Sequence, residues 1–316
     1  MRVTLISVGV CCAVTALAVS IKRYFGGAKC KCKARLDCKA VVITGATSGI
    51  GNKALAYEVA KRGAQVILAC RNIDAAWDVA NEIAFKTGNE GVYALDLDLT
   101  DFQSIREFCK ELAECEHEIY ALVNNAAVFY HPRELTTDNY DVTFQTNYLG
   151  PFYLTMTLLP KMAKNGRIIN VSSEAHKFCN DLDLPEEANL LDIYGHTKAC
   201  LNLFTLELTS THKDVVSVSV NPGNVATNIF RNYPLLTNPI LKCLLWPIRF
   251  FVVKTPTQGA QSVLHSILCP QIRNGCYISE CREGDPSEFC QRRDYAASLW
   301  SRSLKWTNLK EPLLQK

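Results

Sequence analysis

Fifteen cysteines occur in this chain, yet none is part of a C-x-x-C pair and none joins a Cys/His set with zinc spacing. Internal repeats and low-complexity runs are also missing, which sets aside solenoids and disordered tails. There is no excess of one charge either. Lys and Arg number 34 against 31 Asp and Glu, for a net charge of +3, and the basic residues are scattered except near the N-terminus. That balance gives no grounds for a nucleic-acid partner. Cys70, Cys109, Cys200 and Cys269 fall inside predicted strands or helices and read as small buried hydrophobes. Free thiols in a reducing compartment are therefore expected rather than a disulfide framework. Cys30-Lys31-Cys32 is a C-x-C in a basic stretch, a faint metal signal with no partner at metal spacing, so no metal site is expected. Cys11, Cys12, Cys30 and Cys32 lie in or near an apolar segment, where palmitoylation or plain filling both suit them.

The 316 residues are 48% hydrophobic and 21% charged, enough to bury the core of one large α/β domain plus an appendage. Residues 3–21 carry no charge. At about 1.5 Å per residue they span roughly 28 Å, the hydrocarbon thickness of a bilayer. Lys22, Arg23, Lys29, Lys31, Lys33 and Arg35 follow, against only Arg2 in front. The positive-inside rule then predicts a single-pass anchor over residues 1–23, with everything after it in the cytosol and the endoplasmic reticulum the expected membrane. Ala16-Leu17-Ala18 offers a signal-peptide cleavage site as the alternative, but the apolar run continues past it into a basic cluster. The division expected is a basic linker over 24–38, a catalytic domain over 39–305 and a tail over 306–316.

Residues 41–51 read VVITGATSGIG. Three β-branched residues form a buried parallel strand, and a small-residue turn opens a helix. Gly45 permits the sharp turn, and backbone N–H groups at the helix N-terminus suit an anionic pyrophosphate. The binding stretch is Gly45, Thr47, Ser48, Gly49, Ile50 and Gly51. Further strands are predicted at 65–69, 92–97, 119–123, 167–171, 215–220 and 275–278. Helices are predicted at 50–62, 73–87, 102–115 with Asp101 as N-cap, 138–164 interrupted at Gly150-Pro151, and 192–212. This alternation predicts a doubly wound, Rossmann-type parallel sheet of about seven strands, with the ligand at the strands' C-terminal ends.

Chemistry-bearing residues cluster at those ends. Tyr194 and Lys198 sit at i and i+4 on one helix face. An ammonium there stabilises phenolate and lowers the tyrosine pKa, so Tyr194 can exchange a proton with a substrate oxygen. Arg71 follows the second strand, where an acid would favour NAD and a base pairs with a 2′-phosphate, so NADP(H) is expected over NAD(H). Taken alone, Arg71 is a solvated turn residue and Y-x-x-x-K is common.

The order T-G-x-x-x-G-I-G, N-N-A-A, N-V-S-S, Y-x-x-x-K and N-P-G resembles the short-chain dehydrogenase/reductase family over about residues 36–300. The carriers A-C-R-N, F-Q-T-N-Y-L-G and S-S-E-A-H-K resemble its membrane-associated retinol dehydrogenase group. The resemblance implies that Ser173, the second of its pair, polarises a carbonyl, and that Asn147 holds a water beside Lys198. It implies that Lys198 also holds the cofactor ribose and that Asp98 and Leu99 contact adenine. Asn125, Ala126 and Ala127 stand in the family's N-N-A-G, with Ala127 adding a methyl where backbone passes the cofactor. Pro222, Gly223, Val225 and Thr227 belong to a loop closing on the nicotinamide. The function implied is NADP(H)-dependent interconversion of a lipophilic alcohol with its aldehyde or ketone, in the reductive direction. A catalytically idle, cofactor-binding membrane scaffold is the alternative. The apolar stretch 235–253, broken by Pro239, Lys242, Pro247 and Arg249, is expected to cover a hydrophobic substrate and to meet the membrane surface or the core. Homodimer pairing through the long helices is expected. The Asn170-Val171-Ser172 sequon lies in a central strand and is not read as glycosylated, and His176 and His196 are read as bystanders.

Overall fold

In the computed structural model, residues 20–22, 24–47, 51–114, 118–185, 187–234, 239–244 and 246–310 are described. The expected anchor lies almost wholly outside them, as do Ser48, Gly49 and Ile50. Among the described residues no helix is long and apolar enough to cross a membrane.

Eight strands form one sheet: β1 (Ala40–Thr44), β2 (Gln65–Cys70), β3 (Val92–Asp96), β4 (Ile119–Asn124), β5 (Met162–Val171), β6 (Val215–Asn221), β7 (Tyr277–Ser279) and β8 (Arg282–Gly284). Their order is β3-β2-β1-β4-β5-β6-β7-β8, parallel throughout except that β8 runs antiparallel to β7. β1 is buried at every residue, as a central strand covered on both faces must be. The edge strand β3 instead alternates, leaving Tyr93 exposed.

The helices are α1 (Ala56–Ala60, entered through the π-helical turn Gly51–Leu55), α2 (Ile73–Thr87), α3 (Phe102–Ala113), α4 (Gly150–Leu158, entered through Val142–Phe144 and Gln145–Leu149), α5 (Leu190–Thr211), α6 (Pro239–Leu244), α7 (Trp246–Val252), α8 (Pro256–Leu268) and α9 (Arg293–Trp306). Local chemistry sets their ends. The Asn72 side chain accepts from Ala75 N–H at the start of α2, and Gly88 closes that helix with φ 68°. Asp101 caps α3 as predicted. Asn189 with Asp192, and Thr255 with Gln258, form capping boxes on α5 and α8. One core layer packs α3, α4, α5 and α9 on a face of the sheet; the other packs α1, α2 and α8 on the opposite face.

Two expectations are corrected. The helical region predicted over 138–164 begins at Val142 and stops at Lys161, and Met162 to Lys164 already belong to β5. Gly150-Pro151 does not break it. A Cβ on Gly150 would lie 2.5 Å from the Leu99 carbonyl, so the glycine serves close approach of α4 to the loop after β3. Pro151 sits in the first turn of the α-helical stretch, where its missing N–H is tolerated. The eighth strand was not anticipated. Its two-residue reversal, Glu280-Cys281, has φ of 52° and 55° without a glycine to announce it. Contacts stabilise the unfavourable conformation: the Glu280 carboxylate pairs with buried Lys254 and accepts from Ala28 N–H at 2.8 Å.

Candidate active site

The strand order reverses between β1 and β4, and the loops leaving these strands part there to open a crevice. Thr44, the last residue of β1, laces the two loops together. Its hydroxyl accepts from Asn125 and Ala126 N–H, both at 3.0 Å, while Asn125 Nδ2 donates to the Thr44 carbonyl at 2.9 Å. Gly45 has φ 68°, and a Cβ there would meet Ala126 Cα at 2.8 Å. The glycine is therefore required by both the turn and the contact.

This crevice is a cavity of about 550 Å³. Of the residues singled out in the sequence, Gly45, Thr47, Arg71, Asp98, Leu99, Asn125, Ala126, Ala127, Ser173, Tyr194, Lys198, Pro222, Gly223, Val225 and Thr227 line it. Asn147 does not. At one end Arg71 stands exposed, 3.8 Å from Asp98. Asp98 accepts from the Thr100 N–H and hydroxyl at 2.8 and 2.6 Å, so it also caps its own turn.

At the other end β5 delivers Ser172 and Ser173, and α5 delivers Tyr194 and Lys198. The serine pair is separated by its partners. Ser172 is buried and donates to the Lys198 carbonyl at 3.2 Å, whereas the Ser173 hydroxyl interacts with Tyr194. Lys198 Nζ donates to the Val171 carbonyl at 2.8 Å and lies 5.6 Å from the Tyr194 ring centre. Burial dominates both titrations. It pushes Tyr194 up to about 12 against the lowering contact with Ser173, and Lys198 down to about 7. The lowered tyrosine expected from the Y-x-x-x-K spacing is thus opposed by burial, the largest cause acting on both groups.

Asn147 is fully buried on the π-helical turn before α4. Its amide accepts from Val128 N–H at 2.8 Å and donates to Val128 O at 2.9 Å and Thr197 Oγ1 at 3.2 Å. It braces the loop after β4 that carries Val128 and Phe129 along the cavity.

Sequence reasoning missed several residues. Phe129 meets Tyr194 edge-on at 4.8 Å and also contacts Phe230 and Tyr233, forming an aromatic wall beside the tyrosine. Phe129 lies two residues after the N-N-A-A motif and was readable from that position; Phe230 and Tyr233 come from a distant loop and were not. His176 is more than a bystander. Its Nε2 accepts from Ser287 N–H at 3.1 Å, so Nδ1 carries the proton and donates to the Ser173 carbonyl at 2.6 Å. His196 makes a bond from Nε2 to the Leu182 carbonyl, at 2.9 Å, away from the chemistry. Asn170 of the sequon is fully buried and bonded to Asn124 and Thr205, which closes it to glycosylation.

Comparison with known proteins agrees with this construction. The family model for the short chain dehydrogenase matches residues 39–235. Mouse retinol dehydrogenase 12 is 36% identical over 294 residues, covering 90% of this chain and 91% of that protein. Human retinol dehydrogenase 11 is 36% identical over 293 residues, covering 90% of each chain. A crystal structure of an uncharacterized protein from Mycobacterium paratuberculosis superposes with TM-score 0.73 at 26% identity, over 91% of this chain and 100% of that one. A short chain dehydrogenase from Burkholderia cenocepacia, solved with NADP, shares the fold at TM-score 0.62 and 22% identity, over 77% and 96% of the two chains. With its tyrosine, lysine and serine gathered at the crevice where the sheet order reverses, this chain belongs to the short-chain dehydrogenase/reductase family, as a retinol-dehydrogenase-like oxidoreductase.

Proposed function

We propose that the protein reduces the carbonyl of a lipophilic aldehyde or ketone with NADPH, returning the alcohol. The observation carrying this reading is that Tyr194, Ser173 and Lys198 converge on one end of a single cavity whose adjoining wall is aromatic. The residues present fit a dinucleotide. Gly45 leaves a backbone cradle that a Cβ would fill, and Arg71 lies at the far end from Tyr194.

A nicotinamide dinucleotide supplies the hydride. Ser173 hydrogen-bonds the substrate oxygen and orients the carbonyl. Tyr194 gives that oxygen a proton, and burial keeps its phenol protonated at neutral pH, the form that reduction requires. Lys198 bonds the Val171 carbonyl, and in this reading it also holds the ribose hydroxyls. Asn147, its amide fully engaged, positions the Val128–Phe129 backbone and Thr197. The Arg71–Asp98 pair is exposed and long, so little energy opposes Arg71 turning to a 2′-phosphate. Phe129, Phe230 and Tyr233 suit retinal, a long-chain aldehyde, or a steroid or polyprenoid ketone. We assign the chain to the membrane of the endoplasmic reticulum, held by residues 1–23 with the domain facing the cytosol. The expected homodimer is set against one observation: α9 already covers part of the long-helix faces, with Trp300 packed on Phe152 and Phe204.

The test follows NADPH and NADH oxidation with all-trans-retinal, a long-chain aldehyde and a steroid ketone. Tyr194→Phe is expected to lose about 10²–10⁴-fold in turnover while still binding NADPH. Arg71→Ser is expected to weaken NADPH relative to NADH; unchanged preference would overturn the role given to Arg71. NADPH binding without turnover on any of these substrates would instead favour the idle scaffold.

A further inference from the structure

Cys30 and Cys32 lie two residues apart in the stretch that leads into β1, and in extended chain such residues face the same side. That stretch is held in place by its backbone. Cys30 N–H donates to Gln261 Oε1 of α8 at 3.0 Å, and Ala28 N–H donates to Glu280. α8 presents His265 to the two thiols. Its Nδ1 is 3.7 Å from Cys32 Sγ, and one donor atom from each of Cys30, Cys32 and His265 lies within 4.8 Å of the others. Cys269 follows His265 by four residues, one helical turn further on, and its thiol interacts with that of Cys32.

We infer that Cys30, Cys32, His265 and Cys269 form a structural site for a thiophilic divalent cation of the zinc class, fastening the segment before β1 to α8. Tetrahedral zinc, with bonds of about 2.3 Å to sulfur and 2.0–2.1 Å to nitrogen, needs donor atoms somewhat closer together than 4.8 Å. Metal binding therefore requires the half-buried Cys30 and Cys32 thiols to close further on His265.

A second observation calls for negative charge here. Arg167 is buried, and its terminal nitrogens donate to the Ser266 and Cys269 carbonyls, both at 2.6 Å. Its Nε has no acceptor, and the partners of its terminal nitrogens are both carbonyls rather than carboxylates. A buried guanidinium without a counter-charge is costly. Zn²⁺ bound by three thiolates and one neutral imidazole carries a net charge of −1, next to the helix end that Arg167 already grips. Binding releases the thiol protons and leaves the metal's oxidation state unchanged. It also stiffens the cavity, because Gly259 of the same helix packs against Val225 of the loop over the site.

The experiment uses the full chain, purified in detergent under reducing conditions, stripped with a chelator and titrated with cobalt(II). About one cobalt per chain is expected, with the charge-transfer and d–d bands of tetrahedral thiolate coordination, displaced by zinc. Cys32→Ser and His265→Ala are each expected to weaken binding by more than the roughly 10–100-fold typical of changes around a metal's ligands. Cys38→Ser, an exposed thiol outside the cluster, should leave it unchanged. Folded, reduced protein without tetrahedral bands, or bands that survive in both ligand variants, would overturn the assignment. So would a disulfide among Cys30, Cys32 and Cys269 in protein isolated without reductant that excludes cobalt.

Discussion

Lys198 illustrates how burial decides a residue's behaviour. Its ammonium has one carbonyl partner and no carboxylate among the described residues, and its pKa falls from an ordinary 10.5 to about 7. The unfolded chain therefore binds the extra proton between pH 7 and 10.5, so this residue's contribution to stability rises with pH across that window and is at its worst below it. At about 1.4 kcal/mol per tenfold change in proton affinity, the cost at neutral pH is on the order of 5 kcal/mol. Lys198→Met removes that cost and leaves the Val171 carbonyl unpaired, a loss of about 1–3 kcal/mol. The variant is expected to be inactive yet more resistant to chemical denaturation at pH 7, with the difference shrinking as pH rises and changing sign before pH 10.5, where only the unpaired Val171 carbonyl remains. Equilibrium unfolding of both proteins across pH checks this; equal stability at pH 7 would mean that Lys198 keeps its charge through hydration of the cavity.

Among the elements, α5 is the one through which packing reaches the chemistry. It carries Tyr194 and Lys198 and lies against the short turn Glu174–Phe178 that follows Ser173. Gly195 makes that contact: a Cβ there would sit 2.7 Å from the Ala175 carbonyl, and Ala175 N–H donates to the Ser173 hydroxyl at 3.3 Å. Gly195→Ala must push the turn away and carry Ser173 with it. Turnover is expected to fall on the order of 10–100-fold, with NADPH affinity nearly unchanged. Steady-state kinetics beside a cofactor titration separates the two effects, and a loss confined to cofactor affinity would contradict the packing argument. The helix predicted from the sequence starts at Asp192, two residues late, because the Asn189–Asp192 capping box was not read. Its contact with the 174–178 turn was not readable, since nothing local tells Gly195 from any other helical glycine.

At the scale of the whole molecule, residues 20–22 meet the end of α7. Lys22 Nζ donates to the Phe250 carbonyl and to the Val253 carbonyl, and lies 5.0 Å from the Phe250 ring centre. Nearby, Ile240, Leu244, Trp246 and Phe250 on α6 and α7 are exposed. Residues 20–22 therefore adjoin an exposed apolar face, of the kind that meets a membrane surface or a partner protein. In a chain beginning at residue 20, Trp246 emission is expected to shift to the blue on adding phosphatidylcholine vesicles, and Phe250→Ser with Leu244→Ser should abolish the shift. An unchanged spectrum would place this face against protein instead.

The sequence by itself determined the strand–helix alternation, the cofactor turn and the tyrosine–lysine spacing. These are local: buried β-branched runs, glycines at turns and i, i+4 geometry need only near neighbours. Tertiary structure decided what depends on residues far apart in the chain. It opposed Phe129 to Phe230 and Tyr233, and it set His176 beneath the Ser173 carbonyl. It reversed β7 into β8 through Lys254 and Glu280, and it brought His265 and Cys269 against a C-x-C more than 230 residues away. It also overruled one local inference, because the acidity of a tyrosine beside a lysine depends on how much water both retain, and that is known only once the core has closed around them.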